Sequence, residues 1–414
     1  MSPFSALLRA TAPPPVMEAR RWVADTRFPP ERPLLNLSQA APVEPPPEPL
    51  RAAMAGMVLS EPDTHLYGPV LGLPELRAEI AGRWSMQYGG AIHPEDVAIT
   101  AGCNMAFCAA LATLAVPGDA ILLPVPWYFN HKMWCDTVGV EAIPLPCRPD
   151  MTPDPEAARR LIGPRVKAIV LISPNNPTGA EYPAGLVAEF AGIARSAGAA
   201  LMLDETYRDF DSREGRAHDL FTDPDWRDVL IHLYSFSKAF RLTGHRTGAI
   251  IAAPDRLAEV EKFLDSVAIC APTLGQKAAT WGLRHLGPWV AGERAEILRR
   301  RAAITAGLAT LPGWRLLGCG AYFAYVEHPF DLPSDRLAKA MVESQSLLVL
   351  PGTMFGPAPE KGGSTGFGRQ LRLAFANMDA DGLATVTRRL AALTANPALA
   401  KRAEAPLATP MASA

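Results

Sequence analysis

Five short runs of mostly apolar side chains punctuate the chain: Asp96-Val-Ala-Ile-Thr100, Ala120-Ile-Leu-Leu-Pro-Val125, Lys167-Ala-Ile-Val-Leu-Ile-Ser173, Ala199-Ala-Leu-Met-Leu203 and Val229-Leu-Ile-His-Leu-Tyr234. Nearly continuous apolarity over so few residues, rich in β-branched types, suits strands covered on both faces, as in a parallel sheet. Between them lie stretches with helical spacing, such as Leu71-Gly-Leu-Pro-Glu-Leu-Arg-Ala-Glu-Ile-Ala-Gly-Arg-Trp84 and residues 105–115. The expected fold class is α/β: a mostly parallel, doubly wound sheet with helices on both faces, carried by a large domain over 45–283. Beyond it, helical stretches at 277–286 and 290–308 and strands at Trp314-Arg-Leu-Leu317 and Tyr322-Phe-Ala-Tyr-Val326 suit a smaller α+β domain. That domain is expected to comprise 1–44 and 284–395, followed by a frayed tail over 396–414.

Charge and cysteine usage exclude several function classes. A net charge of -2, with both signs mixed along 414 residues, gives no electrostatic case for nucleic-acid or anionic-membrane partners. The chain starts without a secretory pattern, and no run approaches the roughly 18 apolar residues of a membrane span, so a cytoplasmic home is expected. Six cysteines without a C-x-x-C pair signal neither a zinc site nor a disulfide framework, and no metal is expected. The proline runs Pro13-Pro-Pro15 and Pro42-Val-Glu-Pro-Pro-Pro-Glu-Pro49 read as extended connectors, because fixed φ and missing N–H groups exclude helix and central strand. Lys361-Gly-Gly-Ser-Thr-Gly-Phe-Gly-Arg369 lacks the Gly-Lys-Ser/Thr ending of a nucleotide loop and reads as a surface loop.

The chemistry gathers where the apolar runs end, at the edge where open α/β sheets bind ligands. Lys238 follows one run; desolvated and near Arg246, it should have a depressed pKa and act as an amine nucleophile toward an aldehyde. Asp204 and Tyr207 follow a second run, and Asn176 a third. A fourth leads into Gly102, Cys103 and Asn104, a small-residue turn whose free N–H groups at a helix start suit a phosphate. The aromatic cluster Pro126-Trp-Tyr-Phe offers a flat face to a planar ring, and Tyr67 lies on a loop before a helix. Together these suit pyridoxal phosphate. Its aldehyde needs an amine, Lys238; its pyridine nitrogen needs an acid, Asp204; its phenolate oxygen needs donors, Asn176 and Tyr207. Its phosphate falls to the Cys103–Asn104 helix start, Ser235 and Arg246.

In the order and spacing of Asn176-Pro-Thr-Gly179, Asp204-x-x-Tyr207, Ser235-x-Ser-Lys238 and Gly244-x-Arg246-x-Gly248, the chain resembles the fold-type I, class I/II aminotransferases of the aspartate aminotransferase superfamily. The resemblance spans residues 36–393. It implies transamination between an L-amino acid and a 2-oxo acid through a Lys238 Schiff base, in a homodimer with shared active sites. It further implies that Tyr128 stacks on the pyridine ring, that Tyr67 reaches the phosphate of the partner subunit, and that Arg372 grips the substrate α-carboxylate. A planar guanidinium suits that last task, since it binds a carboxylate through two parallel bonds. Ala40, in Leu37-Ser-Gln-Ala-Ala-Pro-Val43, matches a segment that covers substrate. Members specific for dicarboxylates carry a second arginine near the stretch matching 262–276; this stretch has none, which favours a neutral amino donor. The alternatives are a pyridoxal-phosphate-dependent carbon–sulfur lyase or another reaction that deprotonates Cα. A cofactor-sensing regulator would need a basic helix-turn-helix module, for which the proline-broken first 36 residues leave no room.

Overall fold

The computed structural model describes residues 4–358 and 366–395; the tail expected over 396–414, and most of the loop read from Lys361 to Arg369, lie outside them. The N-terminal segment carries helices α1 (Ala6–Ala10) and α2 (Pro15–Val23) and the short strand β1 (Leu35–Asn36). Helix α3 (Glu48–Ser60) starts inside the second proline run, with Pro47 as its N-cap and Pro49 in its first turn. There a missing N–H costs nothing, because the first turn's N–H groups have no intrahelical partner. This corrects the reading of residues 42–49 as extended throughout. Likewise Pro15 opens α2. Helix α4 (Pro74–Tyr88) runs past Trp84 to Gly89, whose φ of 69° ends it in the left-handed region.

Seven strands form the main sheet: β2 (Val97–Thr100), β3 (Ala120–Val125), β4 (Glu141–Pro146), β5 (Val166–Ile172), β6 (Ala200–Asp204), β7 (Leu230–Ser235) and β8 (Gly248–Ile251), in the order β2-β8-β7-β6-β5-β3-β4. Only β8 runs against its neighbours, antiparallel to both β2 and β7. The five apolar runs become β2, β3, β5, β6 and β7, each within one residue of its expected bounds. The edge strand β4 buries only Ala142 and Leu145 of its six residues and contains two prolines, so it lacks the continuous apolar signature. Strand β8 is four residues long and starts in the glycine-rich stretch after Lys238.

Alternate residues of the central strands feed two cores. Ile169, Leu171, Leu201 and Leu203 pack on one side with α4, α8 (Ala184–Ser196) and α11 (Thr273–His285), whereas Ala168, Val170, Ala200 and Met202 pack on the other with α5 (Cys103–Ala112) and α10 (Pro254–Ala268). Burial on both faces is the physical reason those strands read as unbroken apolar runs. The helices α6 (Phe129–Val138), α7 (Pro155–Leu161) and the single turn α9 (Phe236–Ala239) complete this part.

The remainder is built from α12 (Gly287–Ala309), β9 (Arg315–Gly320), β10 (Phe323–Glu327), α13 (Ser334–Gln345), β11 (Leu347–Leu348), β12 (Leu350–Pro351), β13 (Gln370–Leu373) and α14 (Ala380–Thr394). Its antiparallel sheet has the order β12-β13-β10-β9. A third core joins Ile304, Leu308, Phe323, Val326, Leu371, Val386 and Leu390 to Leu37 of the N-terminal segment. Strand β1 pairs in parallel with β11, which fixes the path of the residues that follow it, Leu37 to Ala41, across the end of the main sheet.

Candidate active site

The carboxyl ends of β5, β6 and β7, the start of α5 and the segment after β1 enclose a cavity of about 410 Å3. Ala40, Cys103, Asn104, Tyr128, Asn176, Asp204, Tyr207, Ser235, Lys238, Arg246 and Arg372 all line it. Two of the residues expected at the site do not. Gly102 sits one position back as the N-cap of α5. Tyr67, on its loop before α4, is 79% exposed and outside the cavity of its own chain.

Lys238 lies in the single turn of α9, which Ser235 caps by accepting a hydrogen bond from the Ser237 backbone N–H at 3.2 Å. Its Nζ donates to the Ala40 carbonyl at 2.7 Å and stands 5.9 Å from the centre of the Tyr207 ring. Burial, with Arg246 and Arg372 adding repulsion, pushes its pKa down to about 7. A large fraction is therefore free amine near neutrality.

Asp204 ends β6 and is only 4% exposed. One oxygen accepts from the Thr206 backbone N–H at 2.9 Å; the other faces His131 Nε2 at 3.7 Å. His131 stacks on Phe107 at 3.8 Å, and burial pushes its pKa down to about 3, so it stays neutral and supplies no countercharge. Burial raises the Asp204 pKa, opposed by bonds from Thr206 and Cys103. A buried carboxylate facing a cavity without a cationic partner is costly. A protonated ring nitrogen is the kind of group that would relieve it.

Arg246 sits in the left-handed region at φ 49° and reaches back towards the start of α5. It donates to Thr243 O at 3.0 Å and to Ser237 Oγ at 3.4 Å. A Cβ on Gly102, whose φ is 89°, would lie 2.1 Å from Arg246 Nη2, so only glycine lets the guanidinium come this close to the helix terminus. Free N–H groups, a helix start, a serine hydroxyl and a guanidinium converge there, a donor set suited to a phosphate.

Arg372, on β13, is 2% exposed and forms no ion pair among the described residues. It donates to Asn176 Oδ1 at 3.0 Å and to the Ser38 carbonyl, while its Nε has no partner. Phe323 and Phe355 lie about 5 Å from the guanidinium, and burial pushes its pKa down to about 10. A buried guanidinium held only by neutral oxygens is ready to take a carboxylate. Tyr128 Oη donates to Asn104 Oδ1 at 3.3 Å, and Tyr207 packs on Tyr322 and Phe323.

Several lining groups escaped the sequence reading. Thr206 and Thr243 lie close in sequence to residues that were chosen and carried no signal of their own, while Ser237 was read only as part of the Ser235-x-Ser-Lys238 motif. His131 lay in the aromatic run and could be placed under Asp204 only once the start of α6 was known. Met17 and Arg20 come from α2, more than 200 residues before Lys238 in sequence. Behind Asp204, Glu205, His218 and His232 bring ligand-type atoms within 4.8 Å of one another. Tyr88 Oη donates to Glu205 Oε2, and His232 Nε2 meets the same oxygen at 2.7 Å, so the buried carboxylate is held in a hydrogen-bonded network.

The family model described as "Aminotransferase class I and II" matches residues 32–390. The arginine–pyruvate transaminase AruH of Pseudomonas aeruginosa is 30% identical over 302 residues, covering 72% of this chain and 76% of that protein. The aromatic aminotransferase ISS1 of Arabidopsis thaliana is 28% identical over 307 residues, covering 72% and 76%. Among solved structures, the N-succinyldiaminopimelate aminotransferase of Mycobacterium tuberculosis superposes with a TM-score of 0.84 at 25% identity, covering 94% of this chain and all of that one. The relatives carry names of transaminases, which does not favour the lyase alternative. The donors, acids and bases of the cavity fit pyridoxal phosphate, the family's cofactor, and the chain belongs to the class I and II aminotransferases.

Proposed function

We propose that Lys238 both anchors the cofactor and carries the proton in the transfer of an amino group from an L-amino acid to a 2-oxo acid. The observation that carries this reading is a buried lysine with a pKa near 7, sharing one cavity with Asp204, Arg246 and Arg372. Bound pyridoxal phosphate supplies an aldehyde for the amine and a ring that withdraws electrons from Cα. Asp204 holds a proton on the ring nitrogen, which keeps the ring electron-poor. Asn176 and Tyr207 donate to the ring oxygen, and Tyr128 covers the ring face. Cys103, Asn104, Ser235 and Arg246 hold the phosphate, and Gly102 leaves room for the Arg246 guanidinium beside the helix start. Arg372, backed by Asn176, orients the substrate α-carboxylate so that the Cα hydrogen faces Lys238 Nζ. With its amine free, Lys238 Nζ would take the Cα hydrogen as general base and then give a proton back as general acid.

Residues 45–283 serve as the cofactor-binding domain, while 1–44 and 284–395 form the domain that covers substrate through Ala40 and supplies Arg372. We take the working unit to be a cytoplasmic homodimer in which Tyr67 donates to the phosphate of the partner's site. The exposure of Tyr67 in the single chain supports this assignment.

Replacing Lys238 by alanine tests the reading. The variant should bind pyridoxal phosphate through phosphate and ring contacts yet keep less than about a thousandth of the activity, since a general base alone contributes 10²–10⁴-fold. Retention of activity above that level would remove Lys238 from its role.

A further inference from the structure

The charges in the cavity do not balance once the cofactor and an α-carboxylate are accounted for. Its lining carries four cations, Arg20, Lys238, Arg246 and Arg372, against one carboxylate, Asp204. In the proposed assignment Lys238 takes the aldehyde, Arg246 the phosphate, Asp204 the ring nitrogen and Arg372 the α-carboxylate. Arg20 remains. Its side chain is exposed, and among the described residues its one hydrogen bond is from Nη2 to the neutral Gln39 Oε1 at 2.7 Å and it forms no ion pair.

Its position is fixed by the fold. Ala19 anchors α2 in a core with Tyr325, Leu348 and Leu350, which leaves Val16, Met17 and Arg20 facing the cavity, one turn apart on the helix. Gln39, the bonding partner of Arg20, lies between Ser38, whose carbonyl meets Arg372, and Ala40, whose carbonyl meets Lys238. The Gln39 carbonyl is in turn held by Asn377 Nδ2. The guanidinium of Arg20 thus bonds to the segment that bridges the α-carboxylate clamp and the reactive amine. The expectation of a neutral amino donor assumed that no further cation reaches the site. Two other nearby cations are already engaged: Lys132 with Asp136 at 2.5 Å, and Arg241 with Glu44 and Glu293.

We propose that Arg20 receives the second carboxylate of a dicarboxylic substrate, so that one half of the reaction uses an acidic amino acid or its 2-oxo acid. This deepens, and rests on, the transaminase reading. The geometry differs from a clamp in the 262–276 stretch, because the cation arrives on the chain's own N-terminal helix and is exchanged from an amide to a carboxylate. A guanidinium gains from that exchange, since a charged acceptor bonds it more strongly and in a bidentate manner.

Succinate, which has no amino group to react, and propionate, which lacks the second carboxylate, measure this directly in the holoenzyme. An ion pair that stayed as exposed as Arg20 is in the chain by itself would change binding by less than about fivefold, whereas one from which the bound dicarboxylate excludes water would change it by about tenfold or more. Wild-type holoenzyme should bind succinate at least about tenfold more tightly than propionate, and Arg20→Gln should bring the two within about twofold. In the same variant the ratio of glutamate to alanine half-reaction rates should fall about tenfold. Equal binding of succinate and propionate by wild type, or a preference that survives in Arg20→Gln, would overturn the proposal. So would an unaltered glutamate-to-alanine ratio. Should no amino acid react while the succinate preference depends on Arg20, the transaminase reading fails and the assignment of Arg20 stands.

Discussion

Burial shifts the pKa of both Lys238 and Asp204, and their proposed contacts with the cofactor therefore make sharp predictions. With its pKa pushed down to about 7 by burial, Lys238 is ammonium below that pH and free amine above it. Capture of pyridoxal phosphate by the apoprotein, followed by absorbance, should accelerate as pH rises through about 7 and level off beyond. A profile still climbing at pH 10 would mean an ordinary, solvated lysine. For stability the same shift has the opposite emphasis from a paired lysine. Between about 7 and the ordinary value near 10.5 the unfolded chain binds more protons than the folded one, so this group's penalty is full below 7 and fades as pH rises through that window. Asp204→Asn separates chemistry from folding. Removing a buried carboxylate whose neighbour His131 is neutral should leave the apoprotein's Tm equal or higher, while the loss of a charge partner costs roughly 3–5 kcal/mol in the loaded enzyme. Turnover should drop at least a hundredfold, and a lowered apoprotein Tm with near-normal turnover would contradict the assignment. Both residues were legible in the sequence because they follow directly on apolar runs. His131 and Arg20 were not, since what places them is the packing of α6 and α2 against distant strands.

The elements were legible to the degree that their environment is uniform. Strands buried on both faces left unbroken apolar runs, and β2, β3, β5, β6 and β7 follow from them. β4 and β8 left no such trace, one because it lies at the edge with prolines and the other because it is short and begins with glycine. That glycine has a purpose: a Cβ on Gly248 would lie 2.7 Å from the Cys103 backbone N, so β8 packs directly against the start of α5, the proposed phosphate site. Helix α3 was hidden because proline was counted as a breaker where it is an accepted first-turn residue. The junction between β2 and α5 yields its own test. Gly102→Ala forces a positive φ on a residue with a side chain and drives its Cβ towards Arg246. Strain of about 1–2 kcal/mol per left-handed residue, plus displacement of the guanidinium, should weaken pyridoxal phosphate binding about tenfold or more in an equilibrium titration. Unchanged affinity would show that the phosphate is held elsewhere.

In the whole molecule, the N-terminal segment and the C-terminal third meet over the edge of the main sheet, and the site exists only where they meet it. Leu37 enters the third core, Ser38 and Ala40 touch Arg372 and Lys238, and Arg372 comes from β13. Deleting residues 1–23 should therefore leave the main sheet folded by circular dichroism while reducing amino-acid turnover at least tenfold, because α2 lines the cavity. Unreduced turnover would detach α2 from the site. If Tyr67 serves the neighbouring site, light scattering should find a dimer in every active preparation, and Tyr67→Phe should weaken cofactor binding by roughly tenfold or more, the worth of one hydrogen bond to a charged group. Transfer of an amino group, rather than elimination, is the central claim, and stoichiometry tests it most directly. Holoenzyme mixed with an excess of a reacting L-amino acid, and no 2-oxo acid acceptor, should release one 2-oxo acid per active site and then stop, with no ammonia formed. Adding a 2-oxo acid should restart it. Continued turnover without an acceptor, with ammonia accumulating, would contradict the account.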